Sequence, residues 1–185
     1  MTIEPLKRGA NYADLCAVPD RFIAEIVHGE LYATPRQAPR DSHAALVLIS
    51  LLGEAFHTGR HGPGGWILLI KPEVHLGNDV LVPDLAGWRR ERVPKLPEGH
   101  MTLAPDWICE VLSASTEALD RGKKLPVYAR EGVGHAWLVD RLRQTLEVLG
   151  LDSGRWIELA ACEGRVAVRA PPFDAIALEL GALWV

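Results

Sequence analysis

The alternation of apolar and polar positions near the start of the chain predicts a β-hairpin followed by a mostly buried helix. The segments on either side of His28-Gly29, from residue 22 to residue 34, are short and apolar, which is typical of two strands joined by a turn. The periodic apolar stretch that follows can be capped by Asp41 or Ser42. It is expected to end at Gly59, where glycines and a proline predict a turn.

Later apolar runs predict further strands. The runs 66–70, 74–76 and 80–82 are expected to form a β-meander, and the segment 83–88 is expected to carry the chain out of the sheet. The remaining predicted elements are a buried strand at 107–112, a polar helix at 117–131, a strand at 134–139, and a hairpin of 145–149 with 155–159. Together these elements predict a mixed α/β or α+β fold with one central sheet.

Length and composition are those of one globular domain, residues 1–185. The chain is 48% hydrophobic and 24% charged, which excludes disordered and collagen-like classes. No apolar stretch approaches the ~18 residues of a membrane-spanning helix. Because the N-terminus lacks a secretory pattern, a cytoplasmic location and no membrane association are expected. The scattered Cys16, Cys109 and Cys162 predict buried or half-buried thiols rather than a disulfide framework or a metal site.

Candidate chemistry rests on two acids at apolar strands, since the common phosphate-loop, HExxH and GxSxG signatures are absent. Asp84 directly follows one apolar run, and Glu110 interrupts the buried strand 107–112. A carboxylate among apolar neighbours needs a compensating partner. Hard divalent cations such as Mg²⁺ take carboxylate ligands, so the two acids predict a site for Mg²⁺, or for Mn²⁺ in its place.

A lysine beside such a metal would orient the attacking water or stabilise the anionic transition state. Side chains alternate along a strand, so the expected position is two residues after Glu110, but Leu112 stands there. On the following helix, Lys124 is four residues from both Asp120 and Tyr128 and shares a face with them. The simpler interpretation stays open: Asp120 and Lys124 form a solvated surface pair, and Asp84 is a turn residue after proline.

Several stretches resemble the Uma-type family of bacterial proteins, assigned to the PD-(D/E)xK restriction-endonuclease-like superfamily. These stretches are Val-Pro-Asp84, residues 105–116, 120–133 and 135–140, Glu25-Ile-Val-His-Gly-Glu30 and the C-terminal hairpin. The resemblance covers most of the chain. It implies a restriction-endonuclease-like core, with a mixed central β-sheet flanked by helices and hairpins near both ends. The implied activity is that of a Mg²⁺-dependent endonuclease hydrolysing DNA phosphodiester bonds.

By position, the resemblance implies that Asp84 and Glu110 are metal ligands and that Lys124 is the catalytic lysine. Glu25 and His43 are secondary candidates, the first as a further acid near the metal and the second as a polar group at the pocket mouth. His43 can equally cap its own helix, and Glu25 can simply pair with a basic neighbour.

At two positions the chain departs from the family pattern, which bears on whether the family's residue roles apply to it. Ala114 stands where the family usually has proline, which changes loop stiffness rather than chemistry. Pro126 favours a helix that begins near Lys123, with Asp120 close to its cap.

Basic residues near the acids suggest a surface for a phosphate backbone. The candidates are Arg89, Arg90, Arg121 and Lys123, although charge runs are usually solvated surface.

His57 and His61 are expected to be loop histidines rather than metal ligands. A homodimer follows only by analogy, because cutting two strands takes two active sites. The alternative to a nuclease is a catalytically silent nuclease-like fold that binds nucleic acid or a protein.

Overall fold

Two larger β-sheets and one short two-stranded sheet, β12 with β13, form the β-structure of the protein, whose computed structural model describes residues 3–36 and 39–184. The strands are β1 (Lys7–Arg8), β2 (Phe22–Val27), β3 (Glu30–Pro35), β4 (Trp66–Ile70), β5 (Val74–Leu76), β6 (Asp79–Leu81), β7 (Leu85–Arg89), β8 (Trp107–Leu112), β9 (His135–Asp140), β10 (Thr145–Asp152), β11 (Arg155–Glu163), β12 (Ala167–Val168) and β13 (Leu178–Glu179). The helices are α1 (Tyr12–Cys16), α2 (Pro39–Leu52), α3 (Glu117–Leu119) and α4 (Leu125–Arg130). No helix in the described part of the chain is long and apolar enough to cross a membrane.

The larger sheet is mixed and has six strands in the order β11-β10-β9-β8-β7-β4. Its only parallel pair is β8 with β9, as expected for strands joined by the helical crossover that contains α3 and α4. All six residues of β8 are buried, because both faces of this strand are covered. Trp107, Cys109 and Val111 pack with residues of α2 on one face, while Ile108 and Leu112 pack with residues of α4 on the other. Alternation therefore directs Glu110 to the α4 face.

The smaller sheet is antiparallel, with the order β1-β3-β2-β6-β5. It contains the predicted β2–β3 hairpin, and the predicted C-terminal hairpin is also confirmed as β10 and β11. This second sheet is additional to the one central sheet that the sequence predicts. The residue pair Ile26 and Val80 joins the hairpin to β6, which brings β2 beside the start of β7.

Two strand predictions were wrong. The runs 66–70, 74–76 and 80–82 form no meander, because Lys71 adopts a left-handed conformation (φ 47°) and the chain passes to the other sheet before β5. The segment 83–88 does not leave the sheet: Pro83 only precedes β7, which pairs with both β4 and β8. Gly87 allows this close packing, since a Cβ there would lie 2.8 Å from Leu68 Cδ2.

The helical segments differ from the predictions mainly at their ends. α2 begins at Pro39, so Asp41 and Ser42 lie within the helix rather than at its cap. It continues through a π-helical turn, Gly53–His57, to the predicted turn at Gly59. The helical stretch 117–130 is close to the predicted one, but it does not begin near Lys123. A π-helical turn, Asp120–Lys124, precedes α4, and Pro126 lies at the start of α4, where a missing N–H is tolerated.

The cysteines only partly follow the prediction. Cys109 is buried and Cys162 is half-buried, but Cys16 is exposed, because it ends the short surface helix α1.

Candidate active site

A cavity of about 170 Å³, lined mostly by charged and hydroxyl-bearing residues, lies between the β2–β3 hairpin, the start of β7 and the end of β8. The charged residues that line it are Glu25, Arg36, Lys71, Asp84, Glu110, Asp120 and Lys124. Each sheet contributes to the lining, and the helical crossover supplies the last two residues. The cavity thus collects acids that are far apart in sequence.

Asp84 and Glu110 face each other across the β7–β8 pair. Leu85 pairs with Cys109 in this antiparallel ladder, so the next position in the register sets Asp84 opposite Glu110. The Asp84 carboxylate accepts a hydrogen bond from the Val111 backbone N–H at 2.8 Å. Glu110 Oε2 accepts a longer one, at 3.3 Å, from the backbone N–H of Asp84. Backbone donors therefore orient both carboxylates within the sheet.

Lys124 lies at the centre of the acidic cluster. Its Nζ is 2.9 Å from Glu25 Oε1, 3.0 Å from Glu110 Oε1 and 3.4 Å from Asp120 Oδ1. The Lys124 side chain is only 3% exposed. The Asp120–Lys124 interaction is thus a buried ion pair rather than the solvated surface pair considered from the sequence.

Two further contacts orient these groups. The Tyr128 hydroxyl donates a hydrogen bond of 3.0 Å to Glu110 Oε1, on the same oxygen that faces Lys124. The backbone N–H of Val82 donates one of 2.7 Å to Glu25 Oε1. Glu25 therefore links the hairpin both to Lys124 and to the segment that leads to Asp84.

Lys71 is a second cation of the site that the sequence analysis missed. Its Nζ lies 2.8 Å from Asp84 Oδ1, and its backbone N–H donates to the Asp84 carbonyl at 3.0 Å. The pairing of β4 with β7 places Lys71 there. The sequence predicted that the segment 83–88 leaves the sheet. It therefore did not predict the pairing of β4 with β7, and without that pairing it did not indicate Lys71 as a residue of the site.

Burial dominates the electrostatics of the cluster. It raises the pKa of Glu110 well above its ordinary value and that of Asp120 to about 6, while Lys124 opposes both shifts and the neighbouring acids add to them. Burial by itself would lower the pKa of Lys124, but Glu110 and Glu25 raise it well above its usual range, so Lys124 stays protonated at neutral pH. The same burial raises the pKa of Tyr128, which remains a hydrogen-bond donor.

Negative charge exceeds positive charge in the described lining when the acids are ionised. The four carboxylates of Glu25, Asp84, Glu110 and Asp120 face the ammonium groups of Lys71 and Lys124. The remaining cation, Arg36, is exposed and donates to the backbone carbonyl of Asp20. This imbalance and the all-oxygen donor set fit a hard divalent cation held by Asp84 and Glu110.

The structure does not bring His43 to this cluster. His43 lies on α2, which covers the opposite face of the six-stranded sheet, and its Nε2 is 3.3 Å from the carbonyl oxygen of Ala182. The family resemblance had suggested it, by position, as a polar group at the pocket mouth. With α2 starting at Pro39, His43 neither caps the helix nor lines the cavity.

Nor do the four predicted DNA-contacting residues form a patch beside the acids. Arg89 is the last residue of β7, roughly 16 Å of extended strand from Asp84, and Arg90 follows it in a 3-10 turn. The Arg89 guanidinium lies 4.1 Å from the centre of the Trp66 ring, and Arg90 donates to the Trp66 carbonyl.

Arg121 and Lys123 are close to the cavity in sequence, but their side chains have other partners. Arg121 pairs with Glu117 and Glu147, and Lys123 with Glu30. None of the four lines the cavity.

Comparisons with known proteins point to nucleases. The family model Uma2, "Putative restriction endonuclease", matches residues 10–181. Four chains of solved structures match, among them the crystal structure of "a putative nuclease belonging to DUF820" from Anabaena variabilis ATCC 29413. That chain has a TM-score of 0.76 and 19% identity, and the alignment covers 95% of this chain and 97% of that one. No curated protein matches. The structural match confirms the predicted restriction-endonuclease-like fold.

Proposed function

Because this chain belongs to the Uma2 family of restriction-endonuclease-like proteins, we propose that it is a metal-dependent endonuclease that hydrolyses DNA phosphodiester bonds. The observation that supports this most is the cavity lined by four buried carboxylates and two lysines. The four carboxylates share only two ammonium groups, so the ionised cluster has excess negative charge that a bound cation would balance.

We assign the cation to Asp84 and Glu110, which lie opposite each other with their carboxylates oriented by backbone N–H groups. Mg²⁺ is the natural occupant of an oxygen-only site, and Mn²⁺ is the usual substitute. When bound, the ion would lower the pKa of a water molecule and stabilise the charge that develops on the phosphate.

Lys124 acts as a charged donor rather than as a general base in this proposal. Its ammonium group is held by Glu25, Glu110 and Asp120 and stays protonated, so it cannot accept a proton from water. A fixed ammonium beside the metal ligands can orient the attacking water and stabilise an anionic phosphorane-like transition state. Glu25 and Asp120 are then positioning residues that hold Lys124.

Other groups of the cavity suit a phosphate. Lys71 and Arg36 supply positive charge, and the hydroxyl groups of Ser113, Ser115 and Thr116 can donate hydrogen bonds to phosphate oxygens. The site therefore favours contact with the nucleic-acid backbone, and DNA as the substrate rests on the family.

Replacing Asp84 with alanine is expected to reduce cleavage of supercoiled plasmid DNA in Mg²⁺ by at least about 100-fold, because the loss of a metal ligand removes much of the transition-state stabilisation. Asp152→Ala, at an exposed aspartate in the C-terminal hairpin, is the matched control and should cleave like the unmodified chain. Circular dichroism and thermal melting check that both variants are folded.

Undiminished cleavage by Asp84→Ala would refute the assignment of the site. The same proteins are assayed on single-stranded RNA. Cleavage of RNA alone would show that DNA is the wrong substrate class, and cleavage of neither nucleic acid by the unmodified chain would refute the nuclease proposal.

A further inference from the structure

Three metal-ligating side chains converge at a second place in the fold. They are Glu73 in the turn after β4, His75 on β5 and His100 in the segment that leads to β8, and their ligand atoms lie within 4.8 Å of one another. None of them lines the cavity that contains Asp84 and Glu110. The nuclease proposal assigns no role to this triad, which we call the Glu-His-His cluster.

The backbone holds the three residues in place. Met101 forms an isolated parallel bridge with Val74, so the residue before it, His100, is fixed beside β5. Two hydrogen bonds secure this bridge: the His75 N–H donates to the Met101 carbonyl at 2.8 Å, and the Met101 N–H donates to the Glu73 carbonyl at 2.9 Å. Two segments far apart in sequence, residues 73–75 and the segment that contains His100, are therefore brought together before any ion arrives.

The side chains already converge on one carboxylate oxygen. His75 Nε2 is 2.7 Å and His100 Nδ1 is 3.9 Å from Glu73 Oε1. The two imidazole rings stack with centroids 3.6 Å apart and an interplanar angle of 8°. The Tyr12 hydroxyl donates to the same Glu73 oxygen at 2.8 Å. That hydrogen bond raises the pKa of Tyr12 to about 12, so Tyr12 remains a donor that orients the carboxylate.

We propose that Glu73, His75 and His100 form a second metal site that binds a transition-metal ion, with Zn²⁺ as the preferred ion. Two imidazoles and one carboxylate are ligands typical of Zn²⁺, whereas Mg²⁺ prefers oxygen ligands alone. All three residues are only half-buried, so water can complete the coordination.

Binding requires a small rearrangement. An imidazole lone pair lies in the ring plane, so two parallel rings cannot both point at one ion, and at least one must rotate. The side chain of His100 is 39% exposed, which leaves it room to do so. The bound ion would then tie the segment before Met101 to β5, in addition to the two backbone hydrogen bonds.

Titration calorimetry with Zn²⁺ on chelator-treated, metal-free protein tests the site. The measurement is made in an Asp84→Ala background, so that binding at the carboxylate cavity does not contribute. One Zn²⁺ per chain is expected, and His100→Ala should weaken it by more than about tenfold, since even outer-shell partners of a metal site contribute that much. His61→Ala, at a histidine whose side chain is 88% exposed, is the matched control and should leave Zn²⁺ affinity unchanged.

Substitution by Co²⁺ supplies a second readout, because Co²⁺ held in a four- or five-coordinate protein site absorbs visible light much more strongly than hydrated Co²⁺, and His100→Ala and Glu73→Gln should both remove this stronger absorption. Absence of Zn²⁺ binding in the Asp84→Ala background, or equal affinity with and without His100, would overturn the proposal. Neither outcome bears on the nuclease proposal, because DNA cleavage in Mg²⁺ depends on other residues.

Discussion

Lys124→Met is expected to lower the free energy of unfolding of the metal-free protein by about 3–5 kcal/mol at pH 8, as is typical when one partner of a buried ion pair is removed. Methionine keeps most of the side-chain volume but not the ammonium group. Glu25 and Glu110, which lie 2.9 and 3.0 Å from Lys124 Nζ, are then left without their common counter-charge. Urea-induced unfolding followed by circular dichroism measures the difference.

The destabilisation should grow as the pH rises from 5 to 8. Burial already raises the pKa of Glu110 well above its ordinary value and that of Asp120 to about 6, and removal of Lys124 would raise both further. Above about pH 4–5, the folded variant then retains protons that its unfolded chain releases, so the stability of the variant falls as the pH increases.

Lys123→Met is the matched control, one residue away. Lys123 is partly exposed and pairs with Glu30 near the surface, so its replacement should change stability by less than about 1 kcal/mol at either pH. Equal effects of the two substitutions would contradict the buried charge cluster.

Phe173→Ala is expected to destabilise the protein by about 3–5 kcal/mol, the usual range for truncation of a buried aromatic side chain. Phe173 is fully buried, and its ring centroid lies 4.8, 4.9 and 5.6 Å from those of Trp66, Trp107 and Trp137. Its removal leaves a cavity among these rings on the face of the sheet opposite Glu110, and tryptophan fluorescence should report the repacking.

Phe22→Ala supplies the comparison for this second substitution. Phe22 is only half-buried at the start of β2, where the Arg21 guanidinium lies 5.0 Å from its ring centroid. Truncation of Phe22 should lower the free energy of unfolding by clearly less than truncation of Phe173. If the two phenylalanines proved equivalent, the 173 segment would not be part of the core.

Much of the fold was predictable because local patterns determined it. His28-Gly29 between apolar runs predicted the first hairpin, and the apolar run at 107–112 predicted the buried strand that carries Glu110. Pairing between distant strands was not predictable, because the left-handed backbone of Lys71 and the close packing at Gly87 have no periodic signal.

The candidate site was predictable where the sequence pattern indicates which residues are buried. An acid inside an apolar strand pointed to Glu110, and helical spacing pointed to Lys124. Lys71 and the Glu-His-His cluster depend on which strands and loops meet, so the sequence alone did not indicate them. Arg89 was wrongly expected beside the acids because it is only five residues from Asp84. An extended strand holds those two residues well apart in space.

Calorimetric titration of the metal-free chain with Mg²⁺, and with Mn²⁺ in a His100→Ala background that removes a ligand of the Glu-His-His cluster, tests most directly whether Asp84 and Glu110 share a divalent cation. We predict one ion per chain at this site, lost in both Asp84→Asn and Glu110→Gln, which keep the side-chain shapes, and retained in Glu147→Gln. Absence of binding at millimolar Mg²⁺ and Mn²⁺, or unchanged affinity in the first two variants, would contradict the account and leave a nuclease-like fold that binds without cutting.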